Sequence, residues 1–376
     1  MKKLAAALLA ASLLLLPAGA VSGGPQVEAG AAVLMEKETG TLLYEEHAHD
    51  KLEPASVTKV MTLLLVMEAL DEGRLSLEDM VTVSAHAASM GGSQVYLKEN
   101  EQMSVDELLK AVAVVSGNDA AVALAEHLAG SEEAFAARMN ERAAQLGMKD
   151  TCFVNCTGLP AAGHLTSAYD IALMSRALIQ HPRIRDYTTI WMDSIRGGAF
   201  QLSNTNKLIR FYEGATGLKT GSTDAAGYCL SATAERDGME LIAVVLHSPT
   251  SSARFESAKG LLNFGFANYT LVDVRPGQAL PPIDVRLGRT AQVQPQLPAA
   301  CRLLVQKDQV NSVATELHLA PDVEAPVEKG QTLGQMIVRV AGEERESIPI
   351  VAGEAVERIT VPGIFYGFLR QLFMAS

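Results

Sequence analysis

Nothing in this sequence offers a ready grip for a nucleotide, a zinc ion or a nucleic acid. It has no Walker loop, no Rossmann glycine fingerprint and no paired-cysteine spacing for zinc. Basic residues are outnumbered, with 31 Lys and Arg against 43 Asp and Glu. The resulting net charge of −12 argues against a nucleic-acid backbone as ligand. Gly-x-Ser-x-Gly occurs nowhere, so a Ser-His-Asp hydrolase built on a nucleophile elbow finds no support. Long internal repeats and low-complexity tracts are also missing.

Cysteine is scarce: Cys152, Cys156, Cys229 and Cys301 are the four in the chain. On one strand, Cys152 and Cys156 would have Cα atoms about 13 Å apart, beyond bridging distance. Only a turn would bring them together. The expectation is mostly free, structural thiols, with a 152–156 bridge as the alternative.

The N-terminus does carry a hydrophobic run. Met1-Lys2-Lys3 precedes the apolar stretch Leu4 to Leu16, and Pro17 then leads to the small-x-small sequence Ala18-Gly19-Ala20. This pattern is that of a secretory signal peptide over residues 1–20, too short to span a bilayer comfortably. The mature chain is expected to begin near Val21 and to work outside the cytoplasm, where disulfides are permitted.

The full chain has 376 residues and is 48% hydrophobic, enough for a large core in more than one domain. Ala31 to Met35 and Thr41 to Tyr44 flank a turn ending in Gly40 and read as a β-hairpin. His47-Ala48-His49-Asp50 has a superficial look of a metal cluster, but its polarity reads as an exposed loop. From Ser56 to about Ile179 the periodicity is mainly helical. Ser104-Val105-Asp106-Glu107 is a capping box ahead of Leu108 to Val115, and further helices are expected over Asp119 to Ala129 and Ser131 to Leu146. Met90-Gly91-Gly92-Ser93 reads as a flexible loop.

From Gly197 the pattern turns to strands: Ala215 to Ser222, Tyr228 to Ala234 and Leu241 to His247. A turn at Arg236-Asp237-Gly238 joins the last two, and Ser251 to Ala267 returns to helix. Hairpin, helical block, strands and closing helix predict an α+β fold with one antiparallel sheet and packed helices over residues 25–269. After Tyr269, prolines 276, 281, 282, 295 and 298 interrupt short alternating runs. Residues 270–360 are therefore expected to form a small all-β domain without a catalytic constellation.

Candidate chemistry starts at Ser56. It precedes an almost wholly apolar run, Val60 to Leu70, and such a run makes a buried helix. A Ser here is ordinarily an N-cap, but a capping box wants Glu or Gln three residues on. The third residue is Lys59, one turn along the same face. A cation in the first turn opposes the helix dipole, and burial lowers its pKa. A near-neutral lysine beside a serine is a nucleophile with its own base.

Read singly, Ser116-Gly117-Asn118 is a turn between helices and Lys219-Thr220-Gly221 a strand end with a solvated lysine. Together with Ser56-x-x-Lys59, and in this order, they make the motif set of penicillin-interacting serine enzymes.

At this point the chain resembles the low-molecular-mass penicillin-binding proteins, specifically the D-alanyl-D-alanine carboxypeptidases. The resemblance runs over nearly the whole chain and includes Pro54-Ala55-Ser56, Ser116 to Ala120, Gly130 to Phe135, Thr157-Gly158-Leu159 and Lys219 to Thr223. It implies a β-lactamase/transpeptidase-like fold and an acyl-enzyme at Ser56 with Lys59 as base and Ser116 as proton relay. Substrate binding would fall to Asn118, Lys219, Thr220, Gly221 and Ser222. The oxyanion would lie on backbone N–H groups at Ser56 and near Ser222. Arg254 is assigned to carboxylate recognition by the same analogy, although alone it reads as a solvated helix charge. Peptidoglycan stem peptides and β-lactam antibiotics are the implied partners, with no metal or organic cofactor. Where some members carry His, after Lys-Thr-Gly and before Gly-Leu, this chain has Ser222 and Thr157.

Two other readings compete. A β-lactamase of class A type needs a deacylating Glu between the second and third motifs, and none occurs from Thr151 to Tyr169. A non-catalytic wall-binding or penicillin-sensing protein would not need the intact Ser56, Lys59 and Lys219.

The tail, residues 361–376, completes the reading. Ile364, Phe365, Phe368, Leu369, Leu372 and Phe373 recur at helical spacing and form one apolar face. The segment is shorter than the roughly 20 apolar residues a bilayer takes. It reads as an amphipathic helix lying in the outer face of the cytoplasmic membrane and anchoring an exported wall enzyme. Docking onto the β domain as core is the alternative. With Arg370 its one cation, binding should be mainly hydrophobic and only weakly salt-sensitive. Liposome flotation of the mature protein is expected to fail when residues 361–376 are removed; equal flotation of both forms would remove the anchor.

Overall fold

The computed structural model describes residues 24–297, 301–360 and 362–363. The leader and, apart from Pro362 and Gly363, the apolar tail lie outside the described residues. Among the described residues no helix is long and apolar enough to cross a membrane.

The alternation of side chains along the central strands explains how the part of the chain up to Asn268 is layered. A five-stranded antiparallel sheet runs in the order Leu42–Glu46, Ala31–Glu36, Met239–Ser248, Gly227–Arg236, Ala215–Thr223. The expected N-terminal hairpin thus joins the later strands. Successive residues of a strand face opposite sides, so a strand covered on both sides is apolar throughout. Met239–Ser248 is such a strand. Its Ile242, Val244 and Leu246 join Ala31, Val33 and Met35 against the helical block. Its Leu241, Ala243 and Val245 join Ala32 and Leu34 against Phe255, Leu261, Leu262 and Phe266 of the helix Ser251–Asn268.

On the helical side, Lys59–Asp71 is buried along nearly its whole length, among the helices Val105–Val115, Asn118–Ala129 and Ala168–Leu178. Ser104 caps Val105–Val115, its hydroxyl accepting from the Glu107 N–H, and Ser131 caps Glu132–Gln145 through the Ala134 N–H. Both lie at the expected helix starts.

Two short ribbons, Met80–Thr82 with Gln102–Ser104 and Met192–Ile195 with Phe200–Ser203, have no counterpart in the sequence reading. Strands of three or four residues are too short to display a period. His47 and His49 are largely exposed; His49 meets Asp150 and stacks obliquely near Tyr169. Cys152 and Cys156 are unbridged, the first exposed and the second buried.

Beyond the helix Ser251–Asn268 the described residues are mainly strand and turn, with a 3-10 helix at Lys307–Ser312. Tyr269–Asp273 pairs with Arg302–Gln306, and further sheets run in the orders Gln292–Val293, Ile283–Arg286, Asp322–Glu324 and Pro295–Gln296, Glu343–Ala352, Thr332–Val340, Val313–Leu319. They enclose two apolar clusters, one around Val293, Val327 and Leu333, the other around Met336, Val338 and Ile350. Arg302 reaches back to two turns of the five-stranded sheet, donating to the Glu38 carboxylate at 2.7 Å and to the Gly238 carbonyl at 3.0 Å.

Because the helix Lys59–Asp71 is packed all round, truncating it leaves a void that its neighbours cannot close. Leu64→Ala is expected to cost about 2–5 kcal/mol, read as a lowered urea midpoint with an unchanged m-value.

Candidate active site

Ser56 is not an N-cap. It lies inside a short 3-10 turn, Ala55–Thr58, whose preceding Pro54 makes no side-chain cap, and the α-helix proper begins at Lys59. The turn and helix together place Lys59 Nζ 2.9 Å from Ser56 Oγ.

Two glycines make room for this turn. A Cβ on Gly158 would stand 1.8 Å from the Ala55 carbonyl oxygen, and Gly158 also has φ +82°. A Cβ on Gly221 would stand 2.7 Å from Ser56 N and 2.9 Å from Val57 N. Only a residue without a side chain lets both backbones approach so closely. The expected strand Lys219-Thr220-Gly221 is thereby pressed directly against the Ala55–Thr58 turn.

Lys59 is fully buried and its ammonium has three acceptors. Besides Ser56 Oγ these are Asn118 Oδ1 at 2.6 Å and the Thr157 carbonyl at 2.7 Å. Burial lowers its pKa to about 7, against the weaker opposing pull of Cys156, Asp119 and Glu132. Asn118 is itself oriented, since its Nδ2 donates to the Gly91 carbonyl at 2.7 Å. The amide rotamer follows from these two partners.

Ser116 ends the helix Val105–Val115 in the left-handed region, φ 65° and ψ 30°. Its buried hydroxyl has no hydrogen-bond partner among the described residues. A buried, unpartnered donor is costly, and such groups collect at functional sites. The inter-helix turn expected from Ser116-Gly117-Asn118 is therefore a strained one.

Lys219 is buried too, not solvated as the residue alone suggested, and its Nζ donates to the Thr220 carbonyl at 2.8 Å. Burial, then Lys59, then Arg254 push its pKa well below the usual lysine value. Thr220 Oγ1 lies 2.7 Å from Thr205 Oγ1, and Ser222 is exposed beside it. Arg254 is also buried rather than a solvated helix charge. Its guanidinium donates to the Gly221 and Cys229 carbonyls at 3.2 Å, and its Nε is unpartnered among the described residues. Burial lowers its pKa.

Several residues of this site escaped sequence reasoning. Asp119, beside the second motif, has a buried carboxylate that accepts from the N–H groups of Val95, Leu97 and Ala120. Arg196 grips the same loop from the other side, through the Val95 and Tyr96 carbonyls. Asn155 folds the loop carrying Thr157, its Oδ1 accepting from Thr157 N at 3.2 Å and Gly158 N at 2.7 Å. His164 Nδ1 accepts from the Val154 N–H, so Nε2 carries the proton and donates to Thr58 Oγ1 at 2.8 Å. Burial lowers the His164 pKa to about 4. The one available signal was the acidic or amide residue beside a motif; nothing local tells which backbone groups it would meet.

The family model described as D-alanyl-D-alanine carboxypeptidase matches residues 19–250, and one described as the C-terminal domain of penicillin-binding protein 5 matches 274–358. D-alanyl-D-alanine carboxypeptidase DacF of Bacillus subtilis is 41% identical over 336 residues, covering 88% of this chain and 86% of the relative. DacC of Escherichia coli is 35% identical over 358 residues, covering 93% and 89%. The structure of penicillin binding protein 5 from Haemophilus influenzae superposes with a TM-score of 0.79 at 31% identity, covering 89% of this chain and 99% of that one. An ampicillin-bound penicillin-binding protein D2 from Listeria monocytogenes is 36% identical with a TM-score of 0.59, over 64% of this chain and 98% of that one. With three motifs converging on one buried lysine and relatives matched over most of its length, this chain belongs to the D-alanyl-D-alanine carboxypeptidase family.

Proposed function

We propose that the chain removes the terminal D-alanine from peptidoglycan pentapeptides as a serine-type D-Ala-D-Ala carboxypeptidase, through an acyl-enzyme at Ser56. The observation that carries this reading is the contact of the fully buried Lys59, through Nζ, with Ser56 Oγ. A neutral amine there donates its two N–H bonds to Asn118 Oδ1 and the Thr157 carbonyl and turns its lone pair to the serine hydroxyl. Lys59 takes the Ser56 proton as Oγ attacks the penultimate D-alanine carbonyl. The oxyanion forms against the Ser56 N–H and the strand at Ser222, whose close approach Gly221 permits.

Ser116, with its uncommitted hydroxyl, passes a proton to the leaving D-alanine nitrogen from Lys59 or Lys219. Lys219, Thr220 and Arg254 serve the terminal carboxylate. Burial pushes the Lys219 pKa well down and lowers that of Arg254, which keeps its proton, and an arriving carboxylate opposes both shifts. Water then releases the acyl group. The same steps open a β-lactam ring, which makes the protein a penicillin target. No metal or organic cofactor enters this chemistry.

Against a class A β-lactamase stands the role of Asp170, the acidic side chain that directly follows the 151–169 stretch. Its carboxylate is committed to the Asp150 N–H and the Thr151 hydroxyl. The wider layout belongs to the same proposal: an exported enzyme, with a peptidase unit at 25–269, a β spacer at 270–360, and the 361–376 helix on the membrane surface.

Intact-mass analysis after benzylpenicillin is expected to show an adduct that Ser56→Ala lacks; an adduct in that variant would sink the assignment. Lys59→Arg should abolish acylation, because arginine keeps its proton. Lys219→Arg keeps the charge and should retain part of the activity, and identical behaviour of the two variants would contradict the division of roles. The acylation rate should rise with pH through about 7, since only deprotonated Lys59 acts as base. A rate flat across that range would contradict the assignment.

A further inference from the structure

Lys59 has three acceptors, and one of them, the Thr157 carbonyl, belongs to a loop rather than to a helix or strand. Asn155 closes the turn at Thr157 itself, and a carboxylate from another element holds the residue before it. Glu132, the first residue of the helix Glu132–Gln145, points its Oε1 at the neighbouring residue of the loop. It accepts from the Cys156 N–H at 3.1 Å and from the Cys156 thiol at 3.3 Å. The Cys156 carbonyl, on the opposite side, accepts from Thr62 Oγ1 at 2.7 Å, one turn beyond Lys59 on the same helix. Cys156 is fully buried, so its N–H has no solvent to fall back on. The loop is thus pinned at Cys156 from both sides, and Thr157 follows with its carbonyl on the base.

We propose that Glu132 is a positioning residue for acylation: it pins the 155–158 loop so that the Thr157 carbonyl holds Lys59, and it adds negative charge to the surroundings of the base. The proposal rests on Lys59 being the base of the acyl-enzyme reading.

The charge environment is specific. Lys59 faces Glu132, Asp119 and Cys156, and it repels Lys219. Glu132 is in turn met by His86 Nε2 at 2.9 Å from the short helix Ala85–Ala88, with Glu126 and Glu133 also facing that imidazole. His164 feels the same carboxylate. Among the groups that favour protonated Lys59, Asp119 is fully buried and held by three N–H groups, and Cys156 carries a thiol whose pKa burial raises, keeping it neutral. Glu132 is the carboxylate whose partner at its second oxygen is a half-exposed histidine.

Two substitutions separate the two parts of the proposal. Glu132→Gln keeps an oxygen for the Cys156 N–H but removes the charge. Lys59 should then lose its proton more readily, and the acid limb of the acylation profile should move to lower pH while the alkaline plateau stays within about threefold of wild type. Glu132→Ala removes the acceptor as well, and its plateau rate should fall about tenfold or more as the Thr157 carbonyl drifts.

The measurement is the second-order rate of benzylpenicillin adduct formation on the full protein between about pH 5 and 9, with melting temperature recorded alongside. An acid limb unmoved in Glu132→Gln overturns the charge part, whatever the melting temperature does. A Glu132→Ala plateau equal to wild type overturns the pinning part. Should Glu132→Ala not fold, Glu132→Asp takes its place: its shorter side chain keeps the charge and retreats from Cys156, so the plateau should fall, and a plateau equal to wild type overturns the pinning part. Wild-type protein that takes no adduct at all overturns the acyl-enzyme reading itself, a different result from normal wild-type acylation with unaltered variants.

Discussion

A lysine with no access to water is the constraint on which the catalytic half depends. An ammonium taken out of solvent must find hydrogen-bond partners or give up its proton, and Lys59 does some of each. Its three acceptors come from the nucleophile turn, from the start of the helix Asn118–Ala129 and from a loop beyond the helix Glu132–Gln145. Moving any one of these elements would leave a buried polar group unpaired. The polar site therefore specifies how the apolar helices around it sit, and their packing keeps it dry in return.

Two close approaches complete that arrangement. The Ala55–Thr58 turn is flanked by Gly158 on one side and Gly221 on the other, neither of which leaves room for a side chain. Through Gly221 the outer strand of the sheet reaches the nucleophile, and through Gly158 the loop that feeds Lys59 does. Sheet and helical block, which share an extensive apolar core, thus meet at the site in backbone contacts that tolerate no methyl group.

Around this centre lies a layer of carboxylates, amides and one guanidinium that bind loop backbone. Asp119 and Arg196 hold residues 95–97 between them, Asn155 closes the turn at Thr157, and Glu132 holds Cys156. Val95, Leu97 and Cys156 of these loops enter the apolar core, and the charged and amide side chains add fixed directions to the loop backbone. The aliphatic core could hardly perform that task, because it has no direction, whereas hydrogen bonds do.

Much of this was legible beforehand. The short β-rich apolar run Leu241 to Leu246, the longer apolar run after Lys59 and the capping serines at 104 and 131 announced strand, buried helix and helix starts, since each is a local consequence of run length or turn chemistry. The three motifs, taken in order, pointed to Ser56, Lys59, Ser116, Asn118, Lys219 and Thr220, and the fold gathers them about one site.

What the tertiary structure alone decided is where the charges went. Lys219 and Arg254 look like solvent-facing cations in one dimension, but the approach of strand and helix buries both, and burial is a property of neighbours distant in sequence. The αL strain at Ser116, the twofold clearance at Gly158 and Gly221, and the reach of Glu132 to Cys156 across 24 residues have the same origin. Periodicity and motif spacing act over a few residues. Desolvation, close backbone contact and long-range hydrogen bonding exist only once the chain has folded back on itself.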